Sequence, residues 1–224
     1  MQVVFMAAGK GTRFGELTKN TPKPMLEIAG KKLLEHNILK LPKEIDEIII
    51  IVGYLKEQIM DFFGSEYNGR KIKYVYQEKL LGSGYAIHLC RDILKDKFLV
   101  LMGDDIYSKE DMKKCIQNDL CICVKEVEGD FNGGKIILDK SGNLENISEG
   151  EHKKNGSLVN IGMYVLNHNF FKYDLVKIKE REEYGLPQTL VHVSRDYPVA
   201  VQKSNFWLQI NYLEDLIKAR EILE

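Results

Sequence analysis

The chain has 224 residues, 44% apolar and 29% charged, a globular composition that excludes a disordered chain. Thirty-two Lys and Arg balance 33 Asp and Glu, and the formal net charge of −1 argues against a coat for nucleic acid or an anionic membrane. No apolar stretch reaches the ~18–20 residues that span a bilayer, and the N-terminal MQVVFMAAG lacks a basic flank, so it reads as a strand rather than a signal peptide.

Val3–Ala7 predicts a buried strand followed by a glycine-rich loop. Lys31–Leu41 carries Leu33, Leu34, Ile38 and Leu41 at helical spacing. Asp46–Gly53 contains an unbroken Ile-Ile-Ile-Ile-Val run, apolar on both faces as a central parallel strand requires. Lys56–Phe63 predicts a short helix, Lys71–Gln77 a strand, Gly84–Leu94 a helix and Phe98–Met102 a second fully buried strand. This βαβαβ order predicts an α/β fold, a Rossmann-like, twisted, mixed and mostly parallel sheet flanked by helices. The second half is β-rich: Leu120–Val127, Gly134–Leu138, Asn143–Ile147, Ser157–Leu166 and Tyr197–Gln202 read as strands, and Tyr212–Leu223 as a closing helix. No Pro/Ser-rich linker or repeat divides the chain, so a single domain over 1–224 is expected, with about 1–118 and about 119–224 as its halves.

Cys90, Cys115, Cys121 and Cys123 form no CxxC and read as buried thiols. Free thiols and no export signal point to the cytoplasm. The histidines, His36, His88, His152, His168 and His192, are scattered, and no Ser/His/Asp constellation is visible.

The chemistry concentrates in Ala7-Ala8-Gly9-Lys10-Gly11-Thr12-Arg13-Phe14, followed by Thr21-Pro22-Lys23-Pro24. The segment leaves the first strand at its carboxyl end, where open α/β sheets bind ligands. Glycines let backbone N–H groups approach an anion, and Arg13 and Lys23 add positive charge, a combination that suits a triphosphate. A dinucleotide fingerprint fits poorly, because the third glycine comes late at Gly15. A Walker A loop fits poorly too, because Lys10-Gly11-Thr12 has the wrong order. After Gly103 at the end of a buried strand, Asp104 offers a hard oxygen ligand suited to Mg2+, whereas Asp105 reads as a capping or loop hydrogen-bond acceptor.

AAGKGTRF with TPKP resembles the signature of the nucleoside-triphosphate transferases that activate sugar phosphates and related phosphomonoesters. The resemblance continues through QEKLLGSGYA, VLMGDD, VNIG and FWLQIN. It implies a Mg2+-dependent nucleotidyl transfer in which an NTP and a sugar 1-phosphate give an NDP-sugar and pyrophosphate. It implies catalytic roles for Arg13, Lys23 and Asp104, and nucleotide contacts from Ala7, Ala8, Gly9, Gly11, Thr12, Arg13, Gln77, Gly82 and Ser83. The Gln and Gly of the third segment imply UTP or dTTP as the nucleotide. Glu149, Asn160, Gly162 and Glu183 are the implied acceptor contacts. The implied partners are thus an NTP and a phosphorylated small molecule, with no nucleic acid and no membrane.

Three departures bear on the acceptor. Gln209 stands where much of the family has a second metal-binding Asp, with Asn211 the other nearby candidate. Ile147-Ser148-Glu149-Gly150 lacks the lysine of a Glu-Lys-Pro, for which Lys153 or Lys154 could substitute. Glu183 matches its motif only loosely. A cytidylyltransferase-type enzyme acting on phosphocholine or another small alcohol phosphate is the alternative acceptor reading, and a non-catalytic nucleotide-sensing relative is the alternative that Gln209 keeps open. No left-handed β-helix repeats are visible, so a second, acyl-transferring activity is not expected.

Overall fold

A computed structural model describes residues 1–153, 156–179 and 181–224. In chain order, β1 (Gln2–Ala7) leads through two 3-10 turns, Thr12–Thr18 and Lys23–Met25, to α1 (Leu33–Lys40). Then follow β2 (Glu47–Val52), α2 (Lys56–Phe63), the short β3 (Glu66–Tyr67), β4 (Arg70–Tyr76) and α3 (Ser83–His88). Next come β5 (Lys97–Met102), β6 (Ile106–Tyr107), α4 (Lys109–Cys115), β7 (Cys121–Val127), β8 (Lys135–Leu138), β9 (Leu144–Ser148) and β10 (Ser157–Asn167). The chain ends with α5 (Leu186–Val193), β11 (Ala200–Lys203), β12 (Trp207–Leu208) and α6 (Leu213–Leu223).

Among the described residues a ten-stranded sheet runs in the order β9-β8-β10-β5-β1-β2-β4-β3, with β7 beside β10 and β11 beside β7. Its centre is parallel: β1 pairs with β2 and β5, and β2 with β4. β10 then runs antiparallel against both β5 and β7, which joins the β-rich half to the parallel centre. This is the mixed, mostly parallel sheet flanked by helices that the sequence predicts.

Side chains alternate across a strand, so a run apolar at every position is covered on both faces. Ile48–Ile51 are all fully buried. Val3, Phe5, Ile50 and Leu101 pack on the face that carries α1, α2 and α4, while Val4, Ile49, Ile51 and Val100 pack on the face of α3 and α5. A third cluster, built from Phe14, Leu33, Ile106, Ile210 and Ala219, closes the end of the sheet where the loops gather.

Two local expectations differ from the outcome. The helix expected over Gly84–Leu94 ends at His88 and continues as single turns, in which Cys90, Ile93 and Leu94 still bond back three or four residues. That is why Ile87, Cys90 and Leu94 still reach the core. α4 and α5 were not legible because each is short and lies against the sheet, where tertiary packing overrides weak local periodicity. All the cysteines are buried free thiols, and burial pushes the Cys90 thiol up to about 12. Among the described residues no helix is long and apolar enough to cross a membrane.

Candidate functional site

The loops after β1, β2, β4 and β5 leave the sheet at its carboxyl edge, the place where open α/β sheets take ligands. They are held close by backbone contacts. Gly103 N donates to Met6 O at 3.0 Å and Tyr54 N to Ala8 O at 3.3 Å. A Cβ at Gly53 would lie 2.7 Å from Ala8 O, so only glycine fits between the first two loops. A cavity of about 280 Å³ opens between them. Ala7, Ala8, Gly9 and Gly11 form one wall, Gln77, Gly82, Ser83 and Glu183 another, and Lys23 and Asp104 also border it.

Gly11 adopts φ +65°, and a Cβ there would meet Lys23 Cβ at 2.9 Å. The loop therefore turns tightly over the lysine. Lys23 is 6% exposed, and its Nζ donates to Asp104 Oδ2 at 2.7 Å and sits 5.4 Å from the centre of the Phe14 ring. A buried cation needs such a counter-charge. Beside the first cavity lies a smaller one, of about 240 Å³, bordered by Thr12, Arg13, Lys23, Asp104 and Asn211. Arg13, which is exposed, donates from Nη1 to Asn211 Oδ1 at 3.1 Å. Arg13 and Lys23, both from the segment after β1, thus share a cavity with Asp104 from the turn after β5.

The donors here suit a hard divalent cation. Asp104 supplies a carboxylate, and Asn211 Oδ1 keeps a lone pair beyond its bond from Arg13. Among the described residues no three His, Cys, Asp or Glu side chains gather into a metal-holding group. Gln209 is exposed and borders neither cavity. Of the two candidates that the closing motif offers for a second ligand position, Ile210 between them is buried with its N–H tied inward, and Asn211, not Gln209, borders the cavity.

Asp105 turns away from the cavities. Its Oδ2 accepts from Trp207 Nε1 at 3.0 Å and its Oδ1 from Ile210 N at 3.1 Å. Burial, and then the neighbouring Asp104, raise its carboxyl to about 7. The hydrogen-bonding role expected for Asp105 is the one observed. Sequence reasoning missed Asn37, whose amide donates to Asp105 O at 2.6 Å and accepts from Tyr107 N at 3.1 Å. The available signal was a polar residue within the apolar stripe of α1.

On the other wall, Gln77 is 6% exposed, and its N–H bonds to Val52 O at 2.9 Å. No described residue hydrogen-bonds its side-chain amide. Gly82 adopts φ +94°, and a Cβ there would stand 2.5 Å from Tyr184 O. The reason is a local ladder: Tyr184 N donates to Leu81 O at 2.7 Å and Gly84 N to Tyr184 O at 2.8 Å. Ser83 Oγ accepts from Leu186 N at 2.9 Å, so this hydroxyl is engaged at the start of α5 while the residue still lines the cavity.

The expected acceptor residues separate. Glu183 lines the main cavity; Glu149, Asn160 and Gly162 do not. Glu149 Oε1 accepts from Gln188 Nε2 at 2.7 Å. Asn160 donates to the Tyr164 hydroxyl at 2.7 Å and accepts from Gly162 N at 3.1 Å, both within a bulge of β10. Gly162 has φ +77°, and a Cβ would lie 2.5 Å from Met102 Cγ at the cavity edge. Lys153 lies in the strand Glu151–Lys153, and Lys154 falls outside the described residues.

The sequence and the fold have counterparts among known proteins. The sequence profile of the family described as nucleotidyl transferase matches residues 2–224. A bifunctional GlmU protein of Methanocaldococcus jannaschii is 33% identical over 100% of this chain and 54% of its own length. The chain thus spans about half the length of the bifunctional relatives it matches. The UTP–glucose-1-phosphate uridylyltransferase AglF of Haloferax volcanii is 30% identical over 100% of this chain and 97% of its own. A solved Bacillus anthracis structure named for glucose-1-phosphate thymidylyl transfer superimposes with a TM-score of 0.86 at 22% identity, covering 99% of this chain and 94% of that one, which bears out the fold. With the glycine-rich loop, the buried lysine and the aspartate of the β5 turn in one cleft, and a family match from end to end, the chain belongs to the nucleotidyl transferase family.

Proposed function

We propose that the protein joins an NTP to a sugar 1-phosphate, releasing pyrophosphate and forming an NDP-sugar. A phosphate oxygen of the acceptor attacks the α-phosphorus in line, the bond to the β-phosphate breaks, and pyrophosphate departs. Both reactants are anions, so the protein's part is positioning and charge stabilisation rather than covalent chemistry. The observation that carries this reading is the buried Lys23 paired with Asp104 beneath the Gly11 turn.

In this reading Gly9, Gly11 and Thr12 offer backbone N–H groups to the triphosphate, and Arg13 and Lys23 balance charge on the phosphates. Gln77, Gly82 and Ser83 border the base. Asp104 and Asn211 would hold Mg2+, which when bound neutralises charge on the triphosphate and on the leaving pyrophosphate. Glu183 meets the acceptor first, with Glu149, Asn160 and Gly162 further along the β-rich half. Residues 1–118 form the nucleotide side and 119–224 the acceptor side of a single domain, working in the cytoplasm. The sugar acceptor is supported by one relative, AglF, named for glucose-1-phosphate uridylyl transfer.

Pyrophosphate release from UTP, dTTP, CTP, GTP and ATP, each with glucose 1-phosphate, other sugar 1-phosphates and phosphocholine, tests the reading. Turnover is expected with UTP or dTTP and a sugar 1-phosphate. Release with phosphocholine alone, or with no pair, overturns it.

A further inference from the structure

The backbone from Ser204 to Tyr212 crosses the end of the sheet as a strap, and three aspartates hold it. Asp111 Oδ2 accepts from Ser204 Oγ at 2.8 Å, Asn205 N at 3.0 Å and Phe206 N at 3.2 Å. Asp105 takes the Trp207 indole N–H and Ile210 N. Asp215 Oδ2 takes Asn211 N at 2.8 Å and Tyr212 N at 2.9 Å. Asp111 and Asp215 belong to helices at either end of the strap. Asp105 alone of the three stands in the turn that also carries Asp104.

Asp104 and Asp105 are neighbours in sequence that serve opposite directions. Asp104 meets Lys23 in the cleft, and Asp105 grips the strap behind it. The strap's own pairing is slight, two residues of β12 against β6, and a ladder that short is marginal by itself. The Asp105 carboxyl group adds two hydrogen bonds across it, from the Trp207 indole and from Ile210 N. Asp105 is in turn fixed from behind by Asn37. One residue beyond the gripped Ile210 N–H comes Asn211, whose amide borders the smaller cavity with Arg13 and Asp104.

We infer that Asp105 is a positioning residue that sets the spacing of Asn211 against Asp104, and so builds the two-oxygen edge of the cleft that would hold a divalent cation against the nucleotide's phosphates. The inference rests on the proposed transfer of a nucleotidyl group at this cleft. Its mechanism is a rigid link: the turn after β5 carries one oxygen donor directly, and carries the other through a single carboxylate and two hydrogen bonds. Without that carboxylate Asn211 is still tethered by Asp215, but to α6 rather than to the Asp104 turn.

The test is a double-mutant cycle. Asp105→Asn keeps shape and turns one of the two acceptor oxygens into an N–H donor; Trp207→Phe keeps the ring packing and loses one N–H, and serves if the first variant does not fold. Each is made alone and combined with Asn211→Ala. For each protein, kcat and KM for the nucleotide are measured, and the affinity for UTP is measured separately by calorimetry. A single loss of about tenfold in kcat/KM, seen mainly in KM, is expected for Asp105→Asn. On the Asn211→Ala background the same change should cost less than about twofold, because the residue it positions is gone. Losses that multiply in full, or losses confined to thermal stability, overturn the inference and leave Asp105 a structural tie. Trp207 is the sole tryptophan, so its emission in nucleotide-free protein reads the contact directly. A shift in Asp105→Asn is expected, and an unchanged spectrum overturns the inference. If the wild type turns over no substrate pair, the transfer reading fails, and the cycle in UTP affinity still decides the role of Asp105.

Discussion

Lys23 Nζ and Asp104 Oδ2 lie 2.7 Å apart although their residues are separated by 81 positions. The lysine side chain is 7% exposed and the aspartate 39%. The pair is therefore one-sided, a buried cation answered by a carboxylate at the cavity edge. In the free protein the two neutralise each other, which offsets the cost of burying Lys23. In the proposed transfer, an entering triphosphate would offer Lys23 a second set of oxygens and free the Asp104 carboxylate for a cation.

Asp104→Asn keeps an amide oxygen for Lys23 and removes one negative charge. The fold should persist, with far-UV circular dichroism unchanged. Turnover should fall about 10²–10³-fold, the scale of a lost electrostatic contribution of about 3–4 kcal/mol at a reacting centre. Near-native turnover at saturating Mg2+ would remove Asp104 from the charge-balancing role.

Gly82→Ala strikes the ladder between the two cavity-lining loops. Gly82 sits at φ +94°, ψ 175°, a region essentially reserved for glycine, and a Cβ would overlap Tyr184 O. Backbone strain of about 1–3 kcal/mol should appear as a lowered Tm. Because Gly82 lines the cavity and Glu183 is drawn in by the same ladder, the KM for nucleotide should rise as well. A lowered Tm with unchanged KM would place the ladder outside the binding wall.

Gln209→Asp and Asn211→Ala separate the two residues that the closing motif offers. Gln209 is exposed and away from both cavities, so activity titrated against Mg2+ should superimpose on wild type in Gln209→Asp. Asn211→Ala should move the midpoint of the same titration to higher Mg2+. The reverse pattern would restore Gln209 to the edge of the cleft.

His88 gives the fold a pH dependence. Its Nε2 is buried with no hydrogen-bond partner in the described structure, and burial, followed by Arg91, lowers its pKa below 6.5. A histidine with a depressed folded pKa contributes stability that is present above its unfolded pKa and is lost as the pH falls through the folded one. His36, buried over Ile28 O, is shifted in the same direction. Tm should therefore hold at pH 7.5 and drop below about pH 6.5. The drop should be smaller in His88→Phe, whose ring can keep the contacts with Phe170 and Phe171. An equal drop in both proteins would assign the effect to other groups.

The sheet was legible because Ile48–Ile51 and Leu99–Leu101 can only be covered on both faces, and no surface strand reads that way. Gly11 and Lys23 were legible as site candidates because they follow the carboxyl end of β1, and Asp104 because it follows that of β5. The strap was not. Asp111, Asp105 and Asp215 hold it through backbone N–H groups, and a carboxylate that caps a distant backbone leaves no periodic trace in its own segment. The acceptor side was the least readable. Asn160 spends its amide inside a bulge, and Glu149 meets Gln188, a residue that only the fold of α5 brings near.

Gln77 should read the base. Its backbone is fixed by the bond to Val52 O, its side chain is nearly fully buried at the cavity wall, and no described residue hydrogen-bonds the amide. A ligand that pairs with both the donor and the acceptor of this amide gains two hydrogen bonds at the cavity wall. Uracil and thymine present an N3–H beside a carbonyl, which matches one amide group on each side. Cytosine presents the opposite order, an acceptor at N3 beside an amino donor, and the amide meets it only by turning over. UTP or dTTP should therefore be preferred over CTP, and the cavity should reject the larger purines. Gln77→Ala should raise the KM for UTP and shrink its advantage over CTP about tenfold, the change expected when one site-to-base hydrogen-bonding group is removed. Measured kcat/KM values for UTP, dTTP, CTP, GTP and ATP in wild type and Gln77→Ala decide it. If CTP matches UTP in the wild type, or if Gln77→Ala loses activity equally toward every nucleotide, Gln77 is part of the wall and not the reader of the base.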